Sequence, residues 1–135
     1  MDNLPLLLLV EDEPLIRSSV ADALLDGGYA VAEAEDGAAA IDVLDGTLAV
    51  HGLITDIRLG AGADGWQVAR EARQRMPAIA VVYMTGDSAA DWSSEGVPNS
   101  IMVQKPFAMA QVVTAVSGLL NAADQSPAHP SQGSE

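Results

Sequence analysis

"LLLLVEDEPLIR", Leu6 to Arg17, sets an apolar run directly against three acids. Consecutive rather than alternating apolar residues over Leu6–Val10 read as a strand covered on both faces, as in a parallel sheet. Pro14 follows at once, suited to the first turn of a helix. Ile16, Val20, Ala23 and Leu24 then recur at helical spacing until Gly27–Gly28 ends the segment. A strand that runs straight into a helix is half of a β–α–β unit. The turn between them brings Glu11, Asp12 and Glu13 to one spot. Two carboxylates about 4 Å apart at an effective dielectric near 20 repel by on the order of 4 kcal/mol. Such an arrangement calls for something positive between them.

The same alternation continues along the chain. Further apolar runs fall at Tyr29–Glu33, Leu53–Asp56, Ala80–Met84 and Ser100–Val103. Asp36 is placed to cap a helix through Ala38–Leu44, and Asp64 to start "DGWQVAREARQRM", which Pro77 stops. A short, weakly patterned helix is expected around Ser88–Glu95. A last one carries Val112, Val113, Val116, Leu119 and Leu120 on one face, a stripe that core packing explains. Five β–α units predict a doubly wound α/β sandwich with a parallel five-stranded sheet. Residues 1–122 are expected to form one domain. Residues 123–135, whose composition changes after Ala123 to "DQSPAHPSQGSE", are expected to be a disordered tail, with no stretch of the roughly 50 residues that an attached effector domain needs.

Composition narrows the functional classes. The 135 residues are 49% hydrophobic, enough for a real core, and carry 6 Lys+Arg against 19 Asp+Glu, a net charge of −13. A surface this acidic repels nucleic acid and anionic membranes. The absence of cysteine excludes disulfide and thiolate chemistry. "LPLLLLV" is too short to span a bilayer and lacks the basic leader of a signal peptide, so a soluble cytoplasmic protein is expected.

Ligands of open parallel sheets sit outside the carboxyl ends of the strands. Reading only those ends gives Glu11 and Asp12, then Asp56 ("LITD"), Thr85 ("VVYMT") and Lys105 ("IMVQK"). Three acids, a hydroxyl and a lysine converge on one rim. Oxygen ligands with no His or Cys beside them suit Mg²⁺ or Mn²⁺ better than zinc. Asp56 is then suited to act as a carboxylate nucleophile forming an acyl phosphate, with Thr85 and Lys105 holding phosphoryl oxygens.

With "LLVEDE", "LITDIRL" and its "DGW", "YMTG" and "QKPF" in place, the chain resembles a receiver domain of two-component response regulators, of the CheY-like stand-alone type, from Leu4 to about Leu120. The resemblance implies a flavodoxin-like sheet in the order 2-1-3-4-5. It implies that Asp56 accepts the phosphoryl group, that Asp12 binds Mg²⁺ directly and Glu11 mainly through water, and that the Arg58 carbonyl completes the metal site. Thr85 would move toward the phosphoryl group, Lys105 would contact it, and the Lys105–Pro106 bond would be cis. The implied phosphodonor is a sensor histidine kinase or a histidine phosphotransfer protein. The implied output is protein–protein contact by a monomer or weak dimer that dephosphorylates itself slowly and is not a turnover enzyme.

Several positions depart from the family pattern. Met102 stands where many relatives carry an aromatic residue that rotates on activation, which makes Tyr83 the candidate replacement. The loop "IRLGAGADG" is glycine-rich and lacks the usual proline, and "YMTG" is close to the "FATG" of one subgroup of stand-alone receivers. Arg58 and Asp87 are expected to pair across the site. Glu13 reads as a helix N-terminal acid, His51 as a surface residue, His129 as part of the tail, and Trp66 and Trp92 as partial-core or interface residues. Rival classes lack their marks. A flavin carrier would have a Ser/Thr loop after the first strand, a haloacid-dehalogenase-like phosphatase an Asp at position 58, and a P-loop nucleotidase a Gly-rich loop ending in Lys-Ser/Thr. The alternative that stays open is a phosphorylation-independent adaptor of the same fold.

Overall fold

The computed structural model describes residues 4–60 and 62–124. Strand β1 (Leu6–Val10) leads to α1 (Pro14–Asp26), β2 (Ala30–Ala34) to α2 (Gly37–Asp45), β3 (Gly52–Asp56) to α3 (Gly65–Arg75), β4 (Ala80–Thr85) to α4 (Trp92–Glu95), and β5 (Ser100–Gln104) to α5 (Met109–Asp124). All five strands are parallel in the order β2-β1-β3-β4-β5, the flavodoxin-like (βα)5 arrangement.

Side chains alternate across each strand, so the consecutive apolar residues feed two cores. Leu7, Leu9, Ile54, Val82 and Met84 face α1 and α5, where Val20, Leu24, Val112 and Val116 meet them. Leu8, Val10, Leu53, Val81 and Tyr83 face the other way, against Leu44 of α2 and Trp66, Val68 and Ala72 of α3. The three central strands are thereby buried on both sides, while the edge strands β2 and β5 are only partly covered.

Local boundaries differ from the sequence reading by a residue or so, with physical reasons. β2 starts at Ala30 because the Tyr29 amide still closes α1, donating to the Leu24 carbonyl at 3.2 Å, and the Tyr29 hydroxyl lies 2.6 Å from Ser117 Oγ. β3 begins one residue early, at Gly52, where a Cβ would come within 2.8 Å of Leu7 Cδ2. The expected helix over 88–95 is a turn of 3₁₀ helix, Ala89–Asp91, followed by the single turn of α4. α5 runs to Asp124, while residues 125–135, including His129, lie outside the described residues.

Arginines lock the periphery. Arg75 joins α3 to α2 through Asp45 (2.8 Å) and also pairs with Glu71 (2.7 Å). Arg73 donates to the carbonyls of Ile79, Pro98 and Asn99. Arg17 pairs with Glu33, Arg58 with Asp87, Arg70 with Glu95, and Lys105 with Asp56, so all six basic side chains have a partner inside the molecule. Among the described residues no helix is long and apolar enough to cross a membrane.

Candidate functional site

The end of β1 passes into α1 through a short acidic turn. The Glu11 amide donates to the Ala34 carbonyl (3.1 Å), which extends the β1–β2 pairing by one step and keeps the Glu11 side chain fully buried. Its Oε2 accepts from the Glu13 amide at 3.1 Å. Glu13 itself caps α1, with Oε1 accepting from the amides of Leu15 and Ile16. It is thus used in the helix start and not in the site. Asp12, between them, is exposed.

Asp56 ends β3 beside this turn and is buried. Its Oδ1 accepts from the Ile57 amide at 2.7 Å, and its Oδ2 from Lys105 Nζ at 2.9 Å. The same ammonium lies 3.5 Å from Glu11 Oε1. Gly65 permits this packing: a Cβ there would overlap the Asp56 carbonyl. Thr85 ends β4, buried, with Oγ1 accepting from the Ser88 amide at 2.9 Å, and its carbonyl accepts from the Lys105 amide at 2.8 Å. The Lys105–Pro106 bond is cis.

One carboxylate oxygen from each of Glu11, Asp12 and Asp56 lies within 4.8 Å of the others. Three acids thus face one ammonium. Burial, and then the charge of Asp56, push the Glu11 carboxyl up to about 7, against the pull of the Glu13 amide and of Lys105. Burial pulls Lys105 down, but its hydrogen bond to Asp56 and the two carboxylate charges outweigh this and hold it above the ordinary lysine value. An all-oxygen donor set carrying excess negative charge fits a hard divalent cation. An open cleft of about 500 Å³ adjoins the cluster, lined by Asp12, Ile57, Arg58, Asp64, Trp66 and Ser88.

The structure therefore gathers Glu11, Asp12, Asp56 and Lys105 into one contact group, with Thr85 at the neighbouring strand end. The Arg58 side chain is paired with Asp87, its Nε donating to Asp87 Oδ1 at 3.0 Å. Tyr83 is no surface rotor. It is fully buried, its ring 4.7 Å from that of Trp66, and its hydroxyl accepts from the Val97 amide at 3.0 Å. Met102, its register partner on β5, packs against the same core. Two contributors escape a sequence reading: the Ser88 amide on Thr85, and Arg17, whose Nη1 donates to the Glu11 carbonyl at 2.9 Å. A basic residue one turn into a helix is ordinary, and nothing in its spacing says that it reaches back to the strand.

This geometry agrees with what the chain is similar to. The model of the response regulator receiver domain matches residues 7–117. The chain is 29% identical over 119 residues to the response regulator receiver protein CpdR of Brucella abortus (strain 2308), covering 87% of this chain and 98% of that protein. It is also 29% identical over 120 residues to the sensor kinase CckA of the same strain, and 33% over 102 residues to the response regulator protein FleR of Pseudomonas aeruginosa. It spans only 13% of CckA and 21% of FleR. Among solved structures, a response regulator receiver protein from Sinorhizobium medicae WSM419 superposes with a TM-score of 0.87 at 44% identity, covering 90% of this chain and 98% of that one. The chain belongs to the response regulator receiver domain family.

Proposed function

We propose that this protein is a single-domain response regulator that accepts a phosphoryl group on Asp56, with Mg²⁺ bound, from a histidine kinase or a histidine phosphotransfer protein. The observation that carries this reading is the buried Asp56 carboxylate, held 2.9 Å from Lys105 Nζ inside a three-acid cluster at the carboxyl ends of the strands. Glu11, Asp12 and Asp56, with the Arg58 carbonyl, would hold the metal ion, which supplies charge neutralisation for an incoming phosphoryl group.

In the transfer, an Asp56 carboxylate oxygen bonds to phosphorus as the phosphorus–nitrogen bond of the donor histidine breaks. The second ring nitrogen, already protonated, leaves the donor imidazole neutral. Lys105 exchanges its contact with the free carboxylate for one with a phosphoryl oxygen. Thr85 Oγ1 accepts from Ser88, so its own hydroxyl proton is free to donate to another. The added charge and acceptor oxygens bias the loops after β3 and β4.

The match to nearly the whole of CpdR supports a stand-alone role, and the sensor kinase among the relatives supports a kinase partner. Residues 1–122 act as the receiver. Output is through an unidentified protein target in the cytoplasm, as a monomer or weak dimer, with slow self-dephosphorylation and no turnover of substrate. One observation favours the adaptor reading: Met102 leaves no aromatic switch on β5.

Incubation with Mg²⁺ and a small acyl phosphate, followed by mass spectrometry, tests the proposal. One added phosphoryl group is expected, dependent on Mg²⁺ and absent from Asp56→Asn. No adduct from either that donor or a phosphorylated histidine protein would overturn it in favour of the adaptor.

A further inference from the structure

Asp12 is the unsupported member of the acid cluster. Glu11 is held by the Glu13 amide, and Asp56 by Ile57 and Lys105. Among the described residues, the Asp12 carboxylate receives no hydrogen bond. Its aim has to come from the backbone, and the peptide that joins Glu11 to Asp12 is gripped at its oxygen. That carbonyl accepts from Arg17 Nη1 at 2.9 Å, while Nε of the same guanidinium donates to Glu33 Oε1 at 3.2 Å. Glu33 lies on β2, in register with Leu9 of β1. One rigid planar fork therefore spans α1, the end of β1 and the neighbouring strand. A peptide unit is planar, so holding its oxygen helps fix where the Asp12 Cα sits and the N–Cα axis about which its side chain turns.

We infer that Arg17 is a positioning residue of the cation site: it holds the Glu11–Asp12 peptide and thereby keeps the Asp12 carboxylate beside those of Glu11 and Asp56. This rests on the reading that these three acids hold a divalent cation. Arg17 touches no reacting atom. Its charge alone would work against a bound cation, so removing the side chain has opposite consequences under the two views. If Arg17 were only a nearby positive charge, its loss would tighten metal binding. If it positions Asp12, its loss weakens binding, by tenfold or more on the scale typical of residues that orient ligands.

The full chain is titrated with MgCl₂ and no phosphodonor, by calorimetry and by tryptophan fluorescence, since Trp66 lines the same cleft as Asp12. Arg17→Ala is expected to raise the Mg²⁺ Kd at least tenfold. Arg17→Lys, which keeps the charge but lacks the planar guanidinium fork, is expected to raise it several-fold, and it carries the test if the alanine variant does not fold. Unchanged or tighter binding in a folded variant overturns the role of Arg17 and leaves the cation site standing. A wild-type chain that binds no Mg²⁺ removes the site and this role together.

Discussion

α3 and α4 leave neighbouring strands just beyond Asp56 and Thr85, yet they are held in place in opposite ways. α3 is eleven residues long, capped by Asp64 Oδ1 on the Gln67 amide, and buries Trp66, Val68, Ala69 and Ala72. α4 is four residues long, has no side-chain cap and buries nothing. Its position depends on groups anchored elsewhere. Arg70 reaches the Glu95 carbonyl and carboxylate, the Tyr83 hydroxyl takes the Val97 amide, and Trp92 Nε1 donates to Ser100 Oγ. Burial fixes one helix and a few hydrogen bonds fix the other. The element beside Thr85 is thus the one that can move without opening the core.

Trp66→Ala is the severest test of the contrast. Trp66 is 6% exposed and Trp92 37%. Loss of the Trp66 ring is expected to cost about 3–5 kcal/mol in urea unfolding, and Trp92→Ala far less; comparable losses would erase the difference between the helices.

A pH series asks whether the two helices unfold as one body. The Glu11 carboxyl sits near 7 in the folded chain, above its ordinary value of 4.5. Between those values the folded state binds more protons than the unfolded one, so stability falls as pH rises from about 4.5 to 7 and is level on either side. In metal-free buffer the loss is expected to be about 2 kcal/mol, discounted from the full shift because water reaches the open side of the cluster. Glu11→Gln should flatten the profile. β1 belongs to the sheet that both helices depend on, so single-tryptophan variants reporting from Trp66 and Trp92 should shift together.

Tyr83→Phe addresses the tethers of α4. It leaves the Val97 amide unpaired in a buried position, with an expected cost of about 1–2 kcal/mol. Hydrogen exchange should quicken over residues 92–100 while α3 stays protected. Glu95→Gln is the mildest change. Its pair with Arg70 is 3.4 Å long and nearly half exposed on both sides, so less than about 0.5 kcal/mol is expected.

α3 and α4 also mark what the sequence makes legible. The strands are written in runs of apolar residues, because burying those runs is what forms them, and α3 is marked by its Asp64 cap and the Pro77 that stops it. Asp56, Thr85 and Lys105 were readable as strand-end residues for the same reason. α4 has no apolar period to read, and its C-terminal end and the residues after it are held by contacts from Arg70, Arg73 and Tyr83, all outside the segment. Arg17 was illegible on the same grounds: it acts through a carbonyl, and every residue has one.

The six internally paired basic side chains have a consequence for encounters. Five of the six are matched by a carboxylate at short range, Arg73 alone being held by carbonyls, so the far field is dominated by the remaining carboxylates. At physiological ionic strength that field reaches about 8 Å from the surface. Within that distance it speeds the approach of proteins with basic faces and slows acidic ones. Salt concentration therefore acts as a selector of partners before any surface has docked.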